Sequence, residues 1–233
     1  MIKISILLIC SIFCSYFTFA FDVEQIFKEM HKNYAFGKTY STDLSYTLYK
    51  GHDSNNIAEK YDGVVINTIY GQYQRMDRVE YISTKEFAIQ LNNNQKYIAY
   101  SFPVKRVFTE DLKKALTSAS RTNLTKTATS YVLTLYYSGF TSSPFSKVKI
   151  TINTDDFLLE TVDMYFINDK NFAPTSSGND FAKPHLRINY SNYSKKPITI
   201  KKTFELGTYL QNENGILFPS PKYKGYELID QRI

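Results

Sequence analysis

Apolar and polar residues alternate one by one along much of the stretch from residue 131 to residue 190. The apolar members of the pattern are Val148, Ile150, Ile152, Val162, Met164, Phe166, Leu186, Ile188 and Tyr190. A period of two predicts β-strands that bury one face, and a succession of such strands is typical of an antiparallel meander. We therefore expect a curved antiparallel sheet whose apolar face is covered by other elements.

The first half of the chain shows the same alternation. It predicts strands at 44–48, 59–70, 71–75, 79–82, 87–91 and 96–102. A late strand is expected at 198–204 and a short extended piece at 226–229. The Thr/Ser-rich segment 122–130 is expected to be loose, and segments 138–146 and 168–184 to be longer loops, a length that is usually functional or mobile.

Two stretches have helical spacing instead. The first helix is predicted to begin at Asp22 as N-cap and to end at Gly37. Its apolar side is Val23, Ile26, Phe27, Met30 and Tyr34. The second helix is predicted to follow Thr109 as N-cap, with a narrow apolar side made of Leu112, Ala115, Leu116 and Ala119. So small a stripe favours a lid that covers the sheet without being buried all round.

The first twenty residues predict a secretory signal peptide. Lys3 supplies a positive charge, residues 4–19 are almost entirely apolar, and residues 18–20 offer small side chains at the usual cleavage spacing. A retained membrane anchor is the alternative interpretation. We expect residues 1–20 to be removed, residues 21–233 to form a single domain, and the protein to be exported to the periplasm, with the extracellular space as the alternative.

Both cysteines, Cys10 and Cys14, lie inside this segment, so the exported chain would hold no disulfide and no thiolate. Loss of Lys3 leaves 27 basic residues against 22 acidic ones, a net charge of +5. The basic residues are scattered, with pairs at 195–196 and 201–202. This distribution indicates solvated faces, and we expect no nucleic-acid partner.

The sequence also offers little for catalysis. His31, His52 and His185 are far apart and lack metal-ligand spacing, and each is interpreted as a surface residue. No phosphate-binding glycine loop or nucleophile elbow occurs. We predict a protein that is not an enzyme and has no cofactor and no metal. A hydrolase with two carboxylates meeting across a cleft stays open.

The order of signal, amphipathic helix, strands, helical interruption, strands and irregular tail resembles the bacterial outer-membrane lipoprotein carrier (LolA-like) superfamily. The likeness is clearest at Tyr40–Tyr46, after the first helix, and at Lys147–Asn153 leading into Thr161–Met164. The Arg-Pro pair that carriers of this family have on an early strand is missing after Gly63. The resemblance implies a mostly β fold with some α: a strongly curved antiparallel sheet forming an incomplete barrel, covered by an N-terminal helix and a mid-chain lid helix.

The resemblance also implies a periplasmic carrier that holds a lipid or lipoprotein acyl chain between sheet and lid, without covalent chemistry. The predicted cavity lining is Val148, Ile150, Val162, Met164, Phe166, Leu186 and Ile188, and the predicted lid residues are Leu112, Ala115, Leu116 and Ala119. Membrane-bound envelope proteins are further expected partners, and a monomer is expected. An envelope adaptor with a packed core is the main alternative, followed by the cleft hydrolase.

Overall fold

The computed structural model describes residues 23–35, 37–103, 108–138, 143–174, 178–196, 198 and 200–232, and of residues 108–112 the backbone alone. Strands β1 to β6 follow one another as a first meander: β1 Tyr40–Tyr49, β2 Ile57–Asn67, β3 Gln72–Met76, β4 Val79–Ser83, β5 Ala88–Asn92 and β6 Tyr97–Ser101. A second meander contains β7 Arg121–Lys126, β8 Ser130–Tyr136, β9 Phe145–Asn153, β10 Leu159–Phe166 and β13 His185–Ser194.

The remaining elements are short. Two small hairpins pair β11 Lys170–Asn171 with β12 Phe181–Ala182 and β14 Leu210–Glu213 with β15 Ile216–Pro219. The last strand is β16, Glu227–Asp230. Helix α1 covers residues 23–34 and helix α2 covers Phe108–Ser118. Three single 3₁₀ turns lie at Lys201–Phe204, Leu206–Thr208 and Pro221–Tyr223.

The two meanders form one twelve-stranded sheet because β1 pairs with β13. The strand order is β16-β6-β5-β4-β3-β2-β1-β13-β10-β9-β8-β7, and every pair is antiparallel except β16 with β6. The sheet is curved and its described edge strands, β16 and β7, do not pair with each other. The predicted fold class, a mostly β protein with an open, curved antiparallel sheet, is confirmed.

The connection between the meanders explains part of this curvature. Ten strand-to-strand steps separate β6 from β7, which is about 48 Å in a flat sheet. Residues 102–120 join them, and 11 of these residues are helical. Such a connection reaches about 48 Å only when its other residues are fully extended. Since the amides of Ala119 and Ser120 bond Leu116 and Tyr136, the connection is not extended there, and the sheet has to curl.

The sheet buries different faces in its two halves. We call the face that carries Leu44, Ile150 and Met164 the helix face, because α1 packs on it. The opposite face is the tail face, because the segment after residue 200 packs on it. Residues that pair across neighbouring strands lie on the same face of the sheet. One such row on the helix face consists of Thr42, Val65, Gln74, Tyr81, Gln90 and Ala99.

The helix-face core joins α1 to the second meander. Its fully buried members include Met30 from α1 and Leu133, Leu135, Ile150 and Ile152 from β8 and β9. The predicted apolar side of α1 is therefore confirmed, residue for residue, from Val23 to Tyr34. The proposed N-cap, Asp22, lies outside the described residues.

The tail-face core joins the first meander to the C-terminal segment. Ile82, Ile89, Leu91 and Ile98 of β4 to β6 are each no more than 2% exposed. They pack against a covering set made of Phe204, Tyr209, Leu210 and Tyr223. This second core on the opposite face was not expected from the sequence.

Three sequence predictions of secondary structure are wrong. Segment 122–130 is not loose, because β7 begins at Arg121 and pairs with β8 along its length. Threonine favours extended backbone, which overrides the loop-like polarity of the segment. Residues 198–204 end in a 3₁₀ turn instead of a strand, and Phe204 is the buried residue of that turn. Helix α2 starts at Phe108, so Thr109 lies inside it and is not its N-cap.

Candidate functional site

All seven residues predicted to line a cavity lie on the helix face of three adjacent strands. Register places Ile150 beside Val162 and Val162 beside Ile188, and it places Val148, Met164 and Leu186 in a second row. Phe166 ends β10 and meets the ring of Phe145, with centroids 5.0 Å apart. The structure thus brings these seven side chains together on one surface.

Coverage of that surface decreases from β9 to β13. Val148 and Ile150 are buried in the helix-face core, 9% and 2% exposed. Val162 and Met164 are half-buried and pack against the edge of this core. Leu186 and Ile188 are also half-buried, one strand further from it. The central strands therefore present an apolar surface that the described residues cover only in part.

Helix α2 lies against the same core, as the lid prediction requires. Ala115, Leu116 and Ala119 are half-buried against it, and the Tyr137 hydroxyl donates a 3.2 Å hydrogen bond to the Ala115 carbonyl oxygen. This bond ties the helix to the end of β8. For Leu112 the structure describes the backbone only. The contact of any of these residues with a ligand stays a prediction.

Beyond β1 the helix face becomes polar. A cavity of about 210 Å³ opens over β3 to β6 and the C-terminal segment. Its polar lining is Gln72, Gln74, Tyr81, Ser83, Gln90, Ser101 and Gln231, and Ala88 and Ala99 leave room between them. This polar surface was not predicted from the sequence, although Gln72 and Gln74 stand at alternate positions, as residues on one face of a strand do.

Tyr46 connects the apolar and polar parts of the helix face. Tyr46 is on β1 and lies beside Ile188 of β13. Its hydroxyl accepts a 3.0 Å hydrogen bond from the Gln74 amide on β3. The ring can reach across β2 because Gly63 lies between. A Cβ on Gly63 would stand 3.2 Å from the Tyr46 ring and 2.5 Å from the carbonyl oxygen of Arg75. Burial raises the pKa of the Tyr46 hydroxyl, so it stays protonated.

At the other end of this face, Tyr40 is also buried and hydrogen-bonded to a glutamine side chain. Burial raises the pKa of Tyr40 to about 12, with the nearby Tyr193 contributing and a hydrogen bond from Gln72 opposing. Tyr40 stacks on Tyr193 at 5.6 Å and meets the edge of Tyr34 at 5.4 Å. Neutral hydroxyls paired with glutamine amides are thus a repeated feature of the helix face.

The tail face of the second meander carries charged and aromatic side chains instead. His185 and Arg187 on β13 both donate to Asp163 Oδ1 on β10, at 2.8 Å and 2.7 Å. Burial alone would raise the pKa of Asp163, but these two hydrogen bonds outweigh it and hold the pKa below its usual value. The His185 ring stacks on Tyr165 at 4.3 Å and on Tyr49 at 5.2 Å.

The prediction that His185 is a surface residue is therefore wrong, since it is 5% exposed. Asp163 and His185 are 22 residues apart, and only the pairing of Tyr165 with His185 brings them together. Asp163 itself was the signal in the sequence, because an acidic residue stands there in the middle of a strand of alternating apolar and polar residues. His31 is exposed as predicted, and His52 lies half-buried with Nε2 2.9 Å from the Phe166 carbonyl oxygen.

Within the described part of the chain, no group of three or more His, Cys, Asp or Glu side chains is placed to hold a metal ion. Nor does any helix among these residues have the length and apolarity needed to cross a membrane.

These features define an open, curved sheet with helices on one face and a partly uncovered apolar surface beneath them. No sequence-defined protein family and no curated protein matches the chain. Among solved structures, it is similar to an uncharacterised conserved protein from Thermus thermophilus, with 8% identity, 90% of this chain and 99% of that chain covered, and a TM-score of 0.49.

Two further solved structures are similar to the chain. One is a LolA superfamily protein from Nitrosomonas europaea, with 11% identity, 78% and 96% of the two chains covered and a TM-score of 0.35. The other is a domain assigned as an outer membrane lipoprotein-sorting protein from Vibrio parahaemolyticus, with 10% identity, 77% and 94% covered and a TM-score of 0.37. The superfamily named from the sequence thus recurs among structural neighbours. At such scores the likeness concerns strand arrangement, and function has to be argued from residues.

Proposed function

We propose that this protein is a non-catalytic carrier that binds a lipid or lipoprotein acyl chain on the helix face of its central strands. The observation that carries the proposal is the incomplete cover over Val162, Met164, Leu186 and Ile188. These side chains belong to one continuous apolar surface, yet α1 buries only its β9 end. An acyl chain is the simplest molecule that complements a curved apolar surface without polar partners.

The energetics favour such a ligand. Each methylene group removed from water contributes about 0.8 kcal/mol, so a chain of about sixteen carbons can bind tightly by burial alone. The half-buried Met164 and Phe166 suit this role, because methionine is unbranched and adapts to irregular shapes. Val148 and Ile150 would form the floor of the site, and Ala115, Leu116 and Ala119 on α2 would form its lid.

A hydrolase finds less support in the arrangement of the polar groups. The pair of Asp163 and His185 resembles part of a catalytic set, but His185 is only 5% exposed and both faces of its ring are covered by tyrosines. General base catalysis needs a nitrogen within reach of the substrate proton. We therefore assign this pair a structural role on the tail face.

An adaptor role is the second candidate, and the tail face favours it. One cross-strand row there contains Tyr165, Lys147, Tyr136 and Arg121. Lys147 lies 3.8 Å from the Tyr165 ring centroid and Arg121 lies 4.3 Å from that of Tyr136. Arginine and tyrosine are enriched at protein interfaces. This role requires no ligand on the helix face.

The proposed export of the protein is based on the sequence of its first twenty residues. Residues 1–20 would direct export and be cleaved, and residues 21–233 would act in the periplasm as a single domain. Mass spectrometry of protein secreted by a host cell tests this step: a mature chain that retains residues 1–20 contradicts it.

Lipid binding is tested by native mass spectrometry on detergent-free protein and by titration with a fluorescent fatty acid. We expect bound acyl species in the first experiment and saturable binding in the second. Leu186→Asp places a charge on the apolar surface and should weaken binding about tenfold or more. Asn189→Asp, on the same strand but on the tail face, is the matched control and should bind as the wild type does.

Protein that carries no lipid and takes up no fatty acid would contradict the carrier and favour the adaptor.

A further inference from the structure

The polar cavity on the helix face of the first meander has a composition that selects its ligand. Four glutamines, Gln72, Gln74, Gln90 and Gln231, line it together with Tyr81 and Ser101. Its described lining contains no Asp, Glu, Lys, Arg or His. A charged head group would lose its hydration here and gain no opposite charge, which is unfavourable. The cavity therefore suits an uncharged ligand that forms hydrogen bonds.

The glutamine amides are held in place by tyrosines. The Gln74 amide nitrogen donates to Tyr46 at 3.0 Å, and the Gln90 amide nitrogen donates to Tyr97 at 2.8 Å. An amide has two N–H donors and a carbonyl acceptor, so each of these bonds uses only part of its capacity. What remains is a pre-oriented donor and acceptor on each side chain. Hydroxyl groups, which donate and accept at once, are the natural complement.

The size of the cavity sets a second limit. About 210 Å³ is the volume of roughly seven water molecules and is smaller than a site for a whole drug-sized ligand. A lipid as a whole cannot fit, but a compact head group can. The bond between Gln74 and Tyr46 places the cavity next to the apolar surface, because Tyr46 lies beside Ile188.

We infer that this cavity receives the uncharged, hydroxyl-bearing head group, such as a sugar or glycerol, of a lipid whose alkyl chain lies on the apolar surface of β10 and β13. This inference rests on the proposed function and adds the chemical class of the ligand. The head would lie over β3 to β5 against Gln74, Tyr81 and Gln90. The chain would cross β1 beside Tyr46.

The test compares probes that share one alkyl chain. Decyl β-glucoside and decanoate, each below its critical micelle concentration, are titrated into the full-length mature protein by isothermal calorimetry. We expect the glucoside to bind about tenfold more tightly than decanoate. Gln90→Leu should abolish this preference, and Gln90→Lys should shift it toward decanoate by supplying a positive charge.

Gln211→Leu, the same change at an exposed position on β14, is the matched control and should keep the preference. If Gln90→Leu does not fold, Gln231→Leu replaces it, because Gln231 lies at an exposed position after β16 and is one of the residues that line the cavity. A photoreactive glucoside mapped by mass spectrometry gives an independent location of the head, expected at Tyr81, Gln90 or Gln231.

The outcomes separate the inference from the function on which it rests. Equal binding of both probes, unchanged by Gln90→Leu but weakened by Leu186→Asp, overturns the head-group site and keeps the carrier. Binding of neither probe overturns both. Cross-links that fall outside the first meander overturn the head-group site alone.

Discussion

The first meander buries its tail face, whereas the second buries its helix face. In the first, Ile89 and Leu91 point to the C-terminal segment while Gln74 and Gln90 face the opposite side. In the second, Ile150 and Ile152 point to α1 while Lys147 and Lys149 lie on the opposite side. The change of buried face occurs between β2 and β3, where Val65 still borders the helix-face core and Tyr73 already borders the tail-face core.

This difference shows how one continuous sheet can leave part of an apolar surface incompletely covered. Each half is stabilised by its own covering element, so neither core requires the helix face of β10, β13 and the first meander to be filled. The half-buried region on β10 and β13 lies between the two cores, beside the buried Leu44 and Tyr46 of β1. Stability and the proposed ligand binding are therefore expected to respond to different substitutions.

The largest effects are expected in the two cores. Leu135→Ala in the helix-face core and Leu91→Ala in the tail-face core should each lower the free energy of unfolding by about 2–5 kcal/mol, because both side chains are fully buried. Urea denaturation measures the loss. Hydrogen exchange should show Leu135→Ala loosening the second meander first and Leu91→Ala the first meander.

Ile216→Ala, a large-to-small change at a 60% exposed position, is the control and should change stability by no more than about 0.5 kcal/mol. Equal loosening of both meanders by each core variant would show that the two cores form one cooperative unit.

The next largest effect concerns Asp163, which is buried on the tail face of the second meander. Asp163→Ala leaves two donors, His185 and Arg187, without their acceptor and should cost roughly 2–3 kcal/mol at pH 7. The pKa of Asp163 in the folded state lies below its usual value. Its stabilisation is therefore fully present above about pH 4, where the unfolded carboxyl is ionised, and is lost as the pH falls through the folded value.

Urea midpoints of the wild type and Asp163→Ala, measured from pH 7 to pH 3, should converge on acidification. A gap that widens toward low pH would contradict this assignment.

A smaller effect should appear at alkaline pH on the helix face. The pKa of Tyr40 is raised to about 12, above the value near 10 of an unfolded tyrosine. The unfolded chain loses this proton first, so stability falls between pH 10 and pH 12. Tyr40→Phe should remove a part of that fall on the order of 2 kcal/mol.

The measurement is the urea midpoint at pH 9 and pH 11. An alkaline fall that is the same in Tyr40→Phe as in the wild type would contradict the assignment.

The smallest effect is expected in the row of cations and rings on the tail face. Lys147→Ala removes an ammonium group that lies 3.8 Å from the Tyr165 ring centroid and should cost about 0.5–1 kcal/mol. Lys149→Ala, two residues away on the same face, is the comparison. A loss with Lys149→Ala as large as that with Lys147→Ala would assign the effect to net charge and not to the ring contact.

The alternation of apolar residues predicted most strands and their order. It identified β9, β10 and β13 and the apolar side of α1, because burial of one face imposes a period that the residues display. It did not predict β7, where Leu124 is the single large apolar residue among polar ones. Pairing with β8, not burial, makes that segment a strand.

The sequence was less informative about the site. A period of two is the same whichever face is buried, so it could not show that β4 to β6 bury the tail face and leave glutamines on the helix face. The contacts of Asp163 with His185, and of Gln74 with Tyr46, depend on strand register between distant segments. Register over 22 or 28 residues is decided by the whole sheet, and no local pattern reports it.

The segment that links β6 to β7 has a consequence for the size of the proposed ligand. Since residues 102–120 join strands near opposite edges of the sheet, their number sets an upper limit on how wide the mouth of the fold can open. Each inserted residue would permit up to about 3.5 Å of additional separation. Lengthening this one connection would therefore allow a protein of this architecture to admit bulkier molecules with every lining side chain unchanged.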